Sequence, residues 1–151
     1  MRVWVDGDAC PRPVRVIVAR RCVREGVATV FVADRDVSPP EYPGVEMRVV
    51  PPGPEATDRE ISRGVEPGDL VITRDILLAE ALVRRDVVVL NDRGERFDPD
   101  TVAERRSLRD FSYALRRDGL SVPGPRRYGR KEVGRFADSF DRELVKRLKE
   151  E

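Results

Sequence analysis

The chain has 151 residues, of which 40% are apolar and 38% charged, and this composition predicts one globular domain with a substantial core. It contains no histidine, which excludes His-based triads, the usual zinc sites and imidazole acid–base chemistry. No apolar run approaches membrane-spanning length, and no secretory signal is recognisable. Two cysteines do not make a disulfide framework, so we expect a reduced, cytoplasmic setting and no membrane partner.

The net charge of +1 hides an asymmetry along the chain. Residues 1–100 carry 15 basic and 19 acidic side chains, net −4, whereas residues 101–151 carry 14 basic and 9 acidic ones, net +5. The segment 105–135 alone holds ten basic and three acidic side chains, net +7. This division fits a metal site beside a phosphate-binding surface, or else helix faces that are solvated and locally ion-paired.

The first part of the chain predicts short strands that alternate with helices. A strand at Val3–Val5 ends in the acidic turn Asp6-Gly7-Asp8, and a helix then extends from Pro11 to Glu25. Val27–Ala33 is a continuous β-branched run typical of a central parallel strand, and Val45–Val50 predicts a third strand after a proline-rich loop.

The same alternation continues to residue 90. We predict a helix from Glu55 or Ala56 to about Gly64, a strand at Leu70–Thr73, a helix at Ile76–Arg85 and a strand at Val87–Leu90. Such alternation indicates right-handed βαβ units. The predicted fold class is therefore α/β, with three layers and a mostly parallel central sheet of about five strands between flanking helices.

The last third, residues 101–151, predicts a basic helical part of the same single domain, which spans 1–151. We expect a helix at Thr101–Arg117 and a final helix at Lys131–Glu150, joined by a loop. Helical spacing predicts one buried face on each, formed by Val102, Leu108, Phe111, Ala114 and Leu115 on the first and by Val133, Phe136, Phe140, Leu144 and Leu148 on the second.

Acidic residues follow several of the predicted strands. Asp6 and Asp8 end the first strand, Asp75 follows 70–73, and Asp58 lies in the first turn of a helix. In a parallel sheet these positions share the carboxyl edge, where ligands collect. Three or four carboxylates suit Mg²⁺ or Mn²⁺, which support phosphoryl transfer. We therefore expect metal ligands at Asp6, Asp8, Asp58 and Asp75, with catalytic roles for Asp6, Asp8 and Asp75.

Each of these acids has a plainer interpretation, because an Asp after a strand more often caps the next helix. Asp69 precedes its strand, so we expect it at the opposite edge as a turn residue. Further candidates for the pocket are Cys10, Thr73, Asn91 and Asp92, although Cys10 is more easily explained by packing, since no histidine can activate its thiol.

The basic stretch supplies the candidates for nucleic-acid binding. The same side chains could form surface ion pairs with nearby acids such as Glu104 and Asp110. The candidates for phosphate contacts are Arg105, Arg106, Arg109, Arg126, Arg127, Arg130 and Lys131.

Four stretches together resemble the YaiI/YqxD family of bacterial proteins over nearly the whole chain. They are VWVDGDACP at the start, GDLVITRDILLAEAL in the middle, NDRG at 91–94 and RRSLRDF at 105–111. The resemblance implies a PIN-like fold similar to NYN ribonuclease domains, and hence a metal-dependent nuclease that acts on RNA.

The likeness to NYN domains also assigns residues. Those domains place one Asp after the first strand, one in a central helix and one in a strand-end motif resembling V-x-S-G-D. By that likeness Asp6, Asp58 and Asp75 are the metal-binding acids, with Asp8 beside them. The sequence departs from the motif at Arg74, which stands where NYN domains have glycine.

Two other functions remain open from the residues. Haloacid dehalogenase-type phosphatases also open with an apolar strand and D-x-D, and Asp6 and Asp8 would then be nucleophile and acid–base. That likeness is poorer, because the three lysines all come late in the chain and Gly68-Asp69 precedes a strand. The third possibility is a non-catalytic nucleic-acid-binding module, in which the basic stretch carries the function and the acids only cap.

Overall fold

The computed structural model describes residues 1–124 and 127–151 and shows an α/β fold built on a six-stranded, mostly parallel sheet. The strand order is β3-β2-β1-β4-β5-β6, so the first strand lies in the middle of the sheet. The strands are β1 (Arg2–Asp6), β2 (Ala28–Ala33), β3 (Val45–Val49), β4 (Leu70–Ile72), β5 (Val88–Leu90) and β6 (Arg96–Phe97).

Helices cover both faces of the sheet and complete the three layers. Because side chains alternate along β1, Val3 and Val5 face one core and Trp4 faces the other. The first core is closed by α1 and α5, and the second by α2, α3 and the start of α4. The helices are α1 (Arg12–Glu25), α2 (Ala56–Gly64), α3 (Ile76–Leu82), α4 (Pro99–Arg117) and α5 (Arg130–Lys149).

The predicted fold class is confirmed, and all five predicted strands are present and run parallel to one another. The sixth strand, β6, was not predicted. It pairs antiparallel with β5 and contains two residues, too few for any periodic pattern. Within the described residues, no helix is long and apolar enough to cross a membrane.

The two C-terminal helices differ in how well their buried faces were predicted. On α5, Phe136, Phe140 and Leu144 are fully buried as expected, and the two phenyl rings stack with centroids 5.6 Å apart. On α4 the predicted face was wrong, since Val102 is buried but Leu108 and Phe111 are 55% and 61% exposed. The helix contacts α3 and β6, and the part of the predicted stripe formed by Leu108 and Phe111 is left facing solvent.

The β5–β6 turn fixes α5 against the sheet. Gly94 adopts φ +81°, and a Cβ at this position would lie 2.6 Å from the carbonyl oxygen of Arg135. The Ser139 hydroxyl donates to the Gly94 carbonyl at 2.7 Å, and the Tyr128 hydroxyl donates to the Asp92 carbonyl at 2.7 Å. A glycine is needed here because the helix backbone approaches the turn so closely.

Asp69 lies at the amino edge of the sheet, as its position before β4 predicted. Its buried carboxylate accepts hydrogen bonds from the Arg2 amide at 2.9 Å, the Trp4 indole N–H at 3.0 Å and the Glu66 amide at 2.9 Å. It therefore satisfies three donors that would otherwise be unpaired beside the core.

Replacing Asp69 with alanine should lower the free energy of unfolding by about 2–4 kcal/mol, because a buried indole N–H and two backbone amides lose their acceptor. Urea denaturation measures the effect. The matched control is Asp141→Ala on the exposed side of α5, where loss of the ion pair to Arg21 should cost less than about 1 kcal/mol. Equal losses in the two variants would contradict the role of Asp69.

Candidate functional site: an acidic cleft at the carboxyl edge of the sheet

A cleft of about 420 Å³ opens at the carboxyl ends of β1 and β4, and we call it the acidic cleft. Because β1 and β4 are parallel neighbours, the residues that follow them are brought to the same edge. The first turn of α2 closes the opposite wall. The acidic residues that line the cleft are Asp6, Asp8, Asp34, Glu55, Asp58 and Asp75.

The cleft thus brings together all four acids predicted as metal ligands, and it adds Asp34 and Glu55. Asp34 directly follows β2, so the same strand-end rule could have found it. Glu55 precedes α2 with φ +62°, a backbone conformation that no pattern in the sequence indicated. The structure places Asp92 outside this lining, below Arg74.

Asp6 is the most constrained of the acids. The Thr73 hydroxyl donates to its Oδ2 at 2.9 Å, and the Asp8 amide approaches its Oδ1 at 3.3 Å. Burial raises the pKa of Asp6 above its ordinary value, and the charges of Asp8 and Asp75 raise it further, whereas the bonds from Thr73 and Asp8 lower it. The carboxylate is therefore held in one orientation, in a place where a negative charge is costly.

Asp58 and Asp75 form a close pair of carboxyl groups. Burial raises the pKa of Asp58 to about 7, and a hydrogen bond with Asp75 and the charges of Asp75, Asp6 and Glu55 add to the shift. Ionised carboxylates crowded into one cleft repel each other, so Asp58 holds its proton more tightly than a free aspartic acid does. A cation in the same place would remove that proton.

Asp75 also caps α3, as the plainer interpretation predicted. Its Oδ1 accepts from the amides of Leu77 and Leu78 at 2.9 and 3.1 Å, and its own amide donates to the Thr73 hydroxyl at 3.0 Å. Capping and ligand binding are compatible, because the cap uses Oδ1 and leaves Oδ2 outside it. Thr73 thus links Asp6 and Asp75.

The donor set suits a hard divalent cation, since it consists of carboxylate oxygens on four converging segments. The raised pKa of Asp58 marks a place where positive charge is favourable. Across the described residues, however, no three acidic or thiol side chains stand close enough to form a ready-made metal site. The residues present therefore fit Mg²⁺ or Mn²⁺ in chemistry, although they are not prearranged as a complete ligand cluster.

Asp8 has a different environment from Asp6. It is exposed, and its Oδ1 accepts from the Asp34 amide at 3.0 Å. This bond ties the turn after β1 to the end of β2, and it places Asp8 on the rim of the acidic cleft.

Arg74 is the one cation among the described residues that line the acidic cleft. Its Nε lies 3.3 Å from Oδ2 of the buried Asp92, and its Nη1 lies 3.5 Å from the Ala9 carbonyl oxygen. Burial raises the pKa of Asp92, and the charges of Arg74 and Arg93 lower it. The side chain of Arg74 is 46% exposed. Asp92 therefore fixes the Nε side of the guanidinium, while the rest of the group remains accessible to solvent.

The remaining pocket candidates are placed in the body of the protein. Cys10 is buried beneath the acidic turn, and burial raises the pKa of its thiol to about 12, so it stays protonated. Asn91 forms the β5–β6 turn, where its side-chain oxygen accepts from the amides of Arg93 and Glu95. Cys10 and Asn91 therefore support the cleft from below and do not line it.

A second cleft of about 510 Å³ adjoins the first, and we call it the α3–α4 cleft. It shares Arg74 and Asp75 with the acidic cleft, and its other lining residues are Ile76, Arg109, Ser112, Tyr113 and Arg116. The guanidinium of Arg109 stacks over the ring of Tyr113, 4.7 Å from the centroid. Tyr113 and Arg116 were not among the predicted site residues, although they follow Arg109 at i+4 and i+7 on one helix face.

The predicted phosphate-binding residues are distributed over different surfaces. Arg105 pairs with Glu95, and Arg106 pairs with Glu80 and Asp110, so both contact acids already. Arg109 lies in the α3–α4 cleft. Arg127, Arg130 and Lys131 are exposed at or just before the start of α5, and Arg126 lies outside the described residues.

Fold and site together define a three-layer α/β protein with an acidic cleft at the carboxyl edge of its parallel strands. The chain belongs to the YaiI/YqxD family: the sequence model described as an uncharacterized BCR, YaiI/YqxD family matches residues 4–146. No solved structure matches the chain.

Several bacterial relatives match along nearly the whole chain, and each is named UPF0178 protein. The protein from Syntrophobacter fumaroxidans is 44% identical over 149 residues, which cover 99% of this chain and 97% of the relative. The one from Myxococcus xanthus is 45% identical over 151 residues, covering 100% and 99%. The one from Treponema pallidum is 44% identical over 149 residues, covering 99% and 84%.

Proposed function

We propose that the protein is a divalent-metal-dependent nuclease that hydrolyses phosphodiester bonds in RNA at the acidic cleft. The observation that carries the proposal is the convergence of Asp6, Asp58 and Asp75 on one cleft, where burial and crowding make Asp58 retain a proton. The resemblance to NYN ribonuclease domains supports the same three residues. The adjoining cleft with Arg109 and Arg116 supports a polyanionic substrate.

Asp6, Asp58 and Asp75 would hold Mg²⁺ or Mn²⁺, with Asp8 at the rim. When bound, such a cation activates a water molecule and neutralises charge on the phosphoryl group. The protein itself orients the acids: Thr73 fixes Asp6 through its hydroxyl, and the cap on α3 fixes Asp75. Arg74 supplies a positive charge beside the acids, where a phosphate oxygen could accept from it.

The phosphatase alternative has less support from the geometry. A haloacid dehalogenase-type site needs a lysine for the phosphate, and no lysine is among the described residues that line the acidic cleft. Lys131, Lys146 and Lys149 all lie on α5. Both oxygens of Asp6 also accept hydrogen bonds, which leaves a poorer nucleophile than that mechanism requires.

The test is cleavage of a labelled single-stranded RNA with and without Mn²⁺. The wild-type protein should cleave it only with metal, and Asp75→Asn should reduce the rate about a hundredfold or more, because one charged ligand is lost. Asparagine retains the cap on α3, so the variant should stay folded. The matched control is Asp138→Asn on the exposed side of α5, which should cleave normally.

The outcomes separate the three functions. Release of phosphate from small monoesters without RNA cleavage would replace the nuclease with a phosphatase. RNA binding without either reaction would leave a binding module. Equal cleavage by Asp75→Asn and the parent would contradict the proposed site.

A further inference from the structure

We propose that the α3–α4 cleft binds one unpaired nucleotide, with its base stacked on Tyr113 and its phosphate contacted by Arg109 and Arg116. The inference deepens the proposed function and rests on it for the direction of the strand, which would continue past Arg74 into the acidic cleft. It makes single-stranded nucleic acid the substrate class, because a base stacked in this cleft cannot also lie in a duplex.

The first support is the environment of Tyr113. Tyr113 is 59% exposed, although the Arg109 guanidinium lies over one face of its ring. Because Tyr113 is more than half exposed and lines the α3–α4 cleft, part of its side chain is accessible there. An arginine stacked on one face of an aromatic ring makes that ring a pre-oriented platform, and every base has a π-face that can stack on it.

The second support is the state of the nearby cations. Among the described residues, no carboxylate lies within ion-pair distance of Arg116, and the acid paired with Arg109 is the exposed Asp110 at 3.4 Å. By contrast, Arg105 and Arg106 pair with acids on other elements, Glu95 and Glu80. The face of α4 that carries Tyr113 therefore also carries two arginines, Arg109 and Arg116, that are not tied to acids on other described elements.

The third support is continuity with the acidic cleft. Arg74 and Asp75 line both clefts, so the two clefts adjoin at these residues. The buried carboxylate of Asp92 holds Arg74 at this junction. A volume of about 510 Å³ falls in the range of pockets that take one small ligand, and the combination of aromatic ring and arginines matches a nucleotide better than a peptide.

The experiment measures binding separately from cleavage. A fluorescein-labelled ten-residue single-stranded RNA and a hairpin of the same sequence are titrated in EDTA at several salt concentrations, with fluorescence anisotropy as the readout. Tyr113→Ala should weaken single-strand binding by about five- to a hundredfold, whereas Tyr113→Phe should bind within about twofold of the parent. Arg116→Ala should reduce the log–log salt slope by about 0.7.

The helix offers matched controls on its other faces. Phe111 is 61% exposed on the side of α4 opposite the cleft, and Arg117 is an exposed neighbour of Arg116. Phe111→Ala and Arg117→Ala should bind as the parent does. The hairpin should bind more weakly than the single strand to every protein that retains an aromatic ring at position 113.

Three results would overturn the inference: unchanged binding by Tyr113→Ala, an equal loss in Phe111→Ala, or equal affinity for hairpin and single strand. Failure of the proposed function is seen separately. If the parent cleaves nothing with Mn²⁺ but binding in EDTA still depends on Tyr113, the nucleotide-binding cleft is supported and the nuclease function is contradicted. If cleavage occurs and Tyr113→Ala changes neither binding nor KM, the nuclease function is supported and nucleotide binding in the α3–α4 cleft is contradicted.

Discussion

Asp58→Asn should reduce the loss of thermal stability that the metal-free protein suffers between pH 4 and pH 8. In the folded protein the pKa of Asp58 is raised to about 7 from an ordinary 3.8, so the folded state binds a proton more tightly than the unfolded state. The stabilisation is complete below about pH 4 and is lost as the pH rises through 7. Asparagine cannot titrate, so its curve should be flatter.

The same variant should lose the stabilisation that Mn²⁺ gives the parent. At pH 8 the parent carries ionised, mutually repelling carboxylates, and a cation that binds only the folded site raises stability by about 2.7 kcal/mol at a hundred times its Kd. For a domain of this size that is a shift in Tm of roughly 5–10 °C. Differential scanning fluorimetry at pH 5, 6, 7 and 8, with and without millimolar Mn²⁺, measures both effects.

Asp138→Asn is the control, because this exposed side chain on α5 lies away from the cleft. It should reproduce the parent in both the pH and the metal series. Asp6 also has a raised pKa, so a small residual pH dependence is expected in Asp58→Asn. A parent protein whose Tm does not respond to millimolar Mn²⁺ would contradict the metal site.

Most of the sheet could be predicted because its strands are continuous apolar runs. Val27–Ala33 and Val87–Leu90 are buried on both faces, and only a central parallel strand needs that pattern. The short β6 and the exposed stripe on α4 could not be predicted. Helical periodicity identifies an apolar face, but whether another element covers that face depends on where the helix docks.

The sequence predicted which edge of the sheet holds the site, but it did not predict the contacts between the side chains there. The rule that residues after parallel strands share one edge placed Asp6 and Asp75 together from sequence alone. The raised pKa of Asp58 depends on burial and on the nearness of Asp75, which no local pattern encodes. The contact between Arg74 and Asp92 likewise joins the ends of two strands. Tyr113 was missed because the cleft that it lines is completed by residues near α3, such as Asp75 and Ile76, which are distant in the sequence.

Gly64→Ala should destabilise the protein, although the same change in an open helix would stabilise it. Gly64 is the last residue of α2, and a Cβ there would lie 2.4 Å from Cη2 and 3.0 Å from Cζ2 of Trp4. The indole cannot retreat, because it is fully buried in the central strand and its N–H is bonded to Asp69. Overpacking of this kind costs about 1–3 kcal/mol, or roughly 2–12 °C in Tm.

The chain contains its own control and a rescue for this prediction. A Cβ at Gly134, inside α5, would meet no described atom within 4 Å, so Gly134→Ala should raise stability by about 0.5–1 kcal/mol. Trp4→Phe removes the part of the ring nearest Gly64, so adding Gly64→Ala to Trp4→Phe should cost much less than adding it to the parent. Urea denaturation of the four proteins in this cycle measures the coupling. An increase in stability for Gly64→Ala similar to that of Gly134→Ala would show that Trp4 moves, and that the contact between α2 and β1 does not limit the packing of this core.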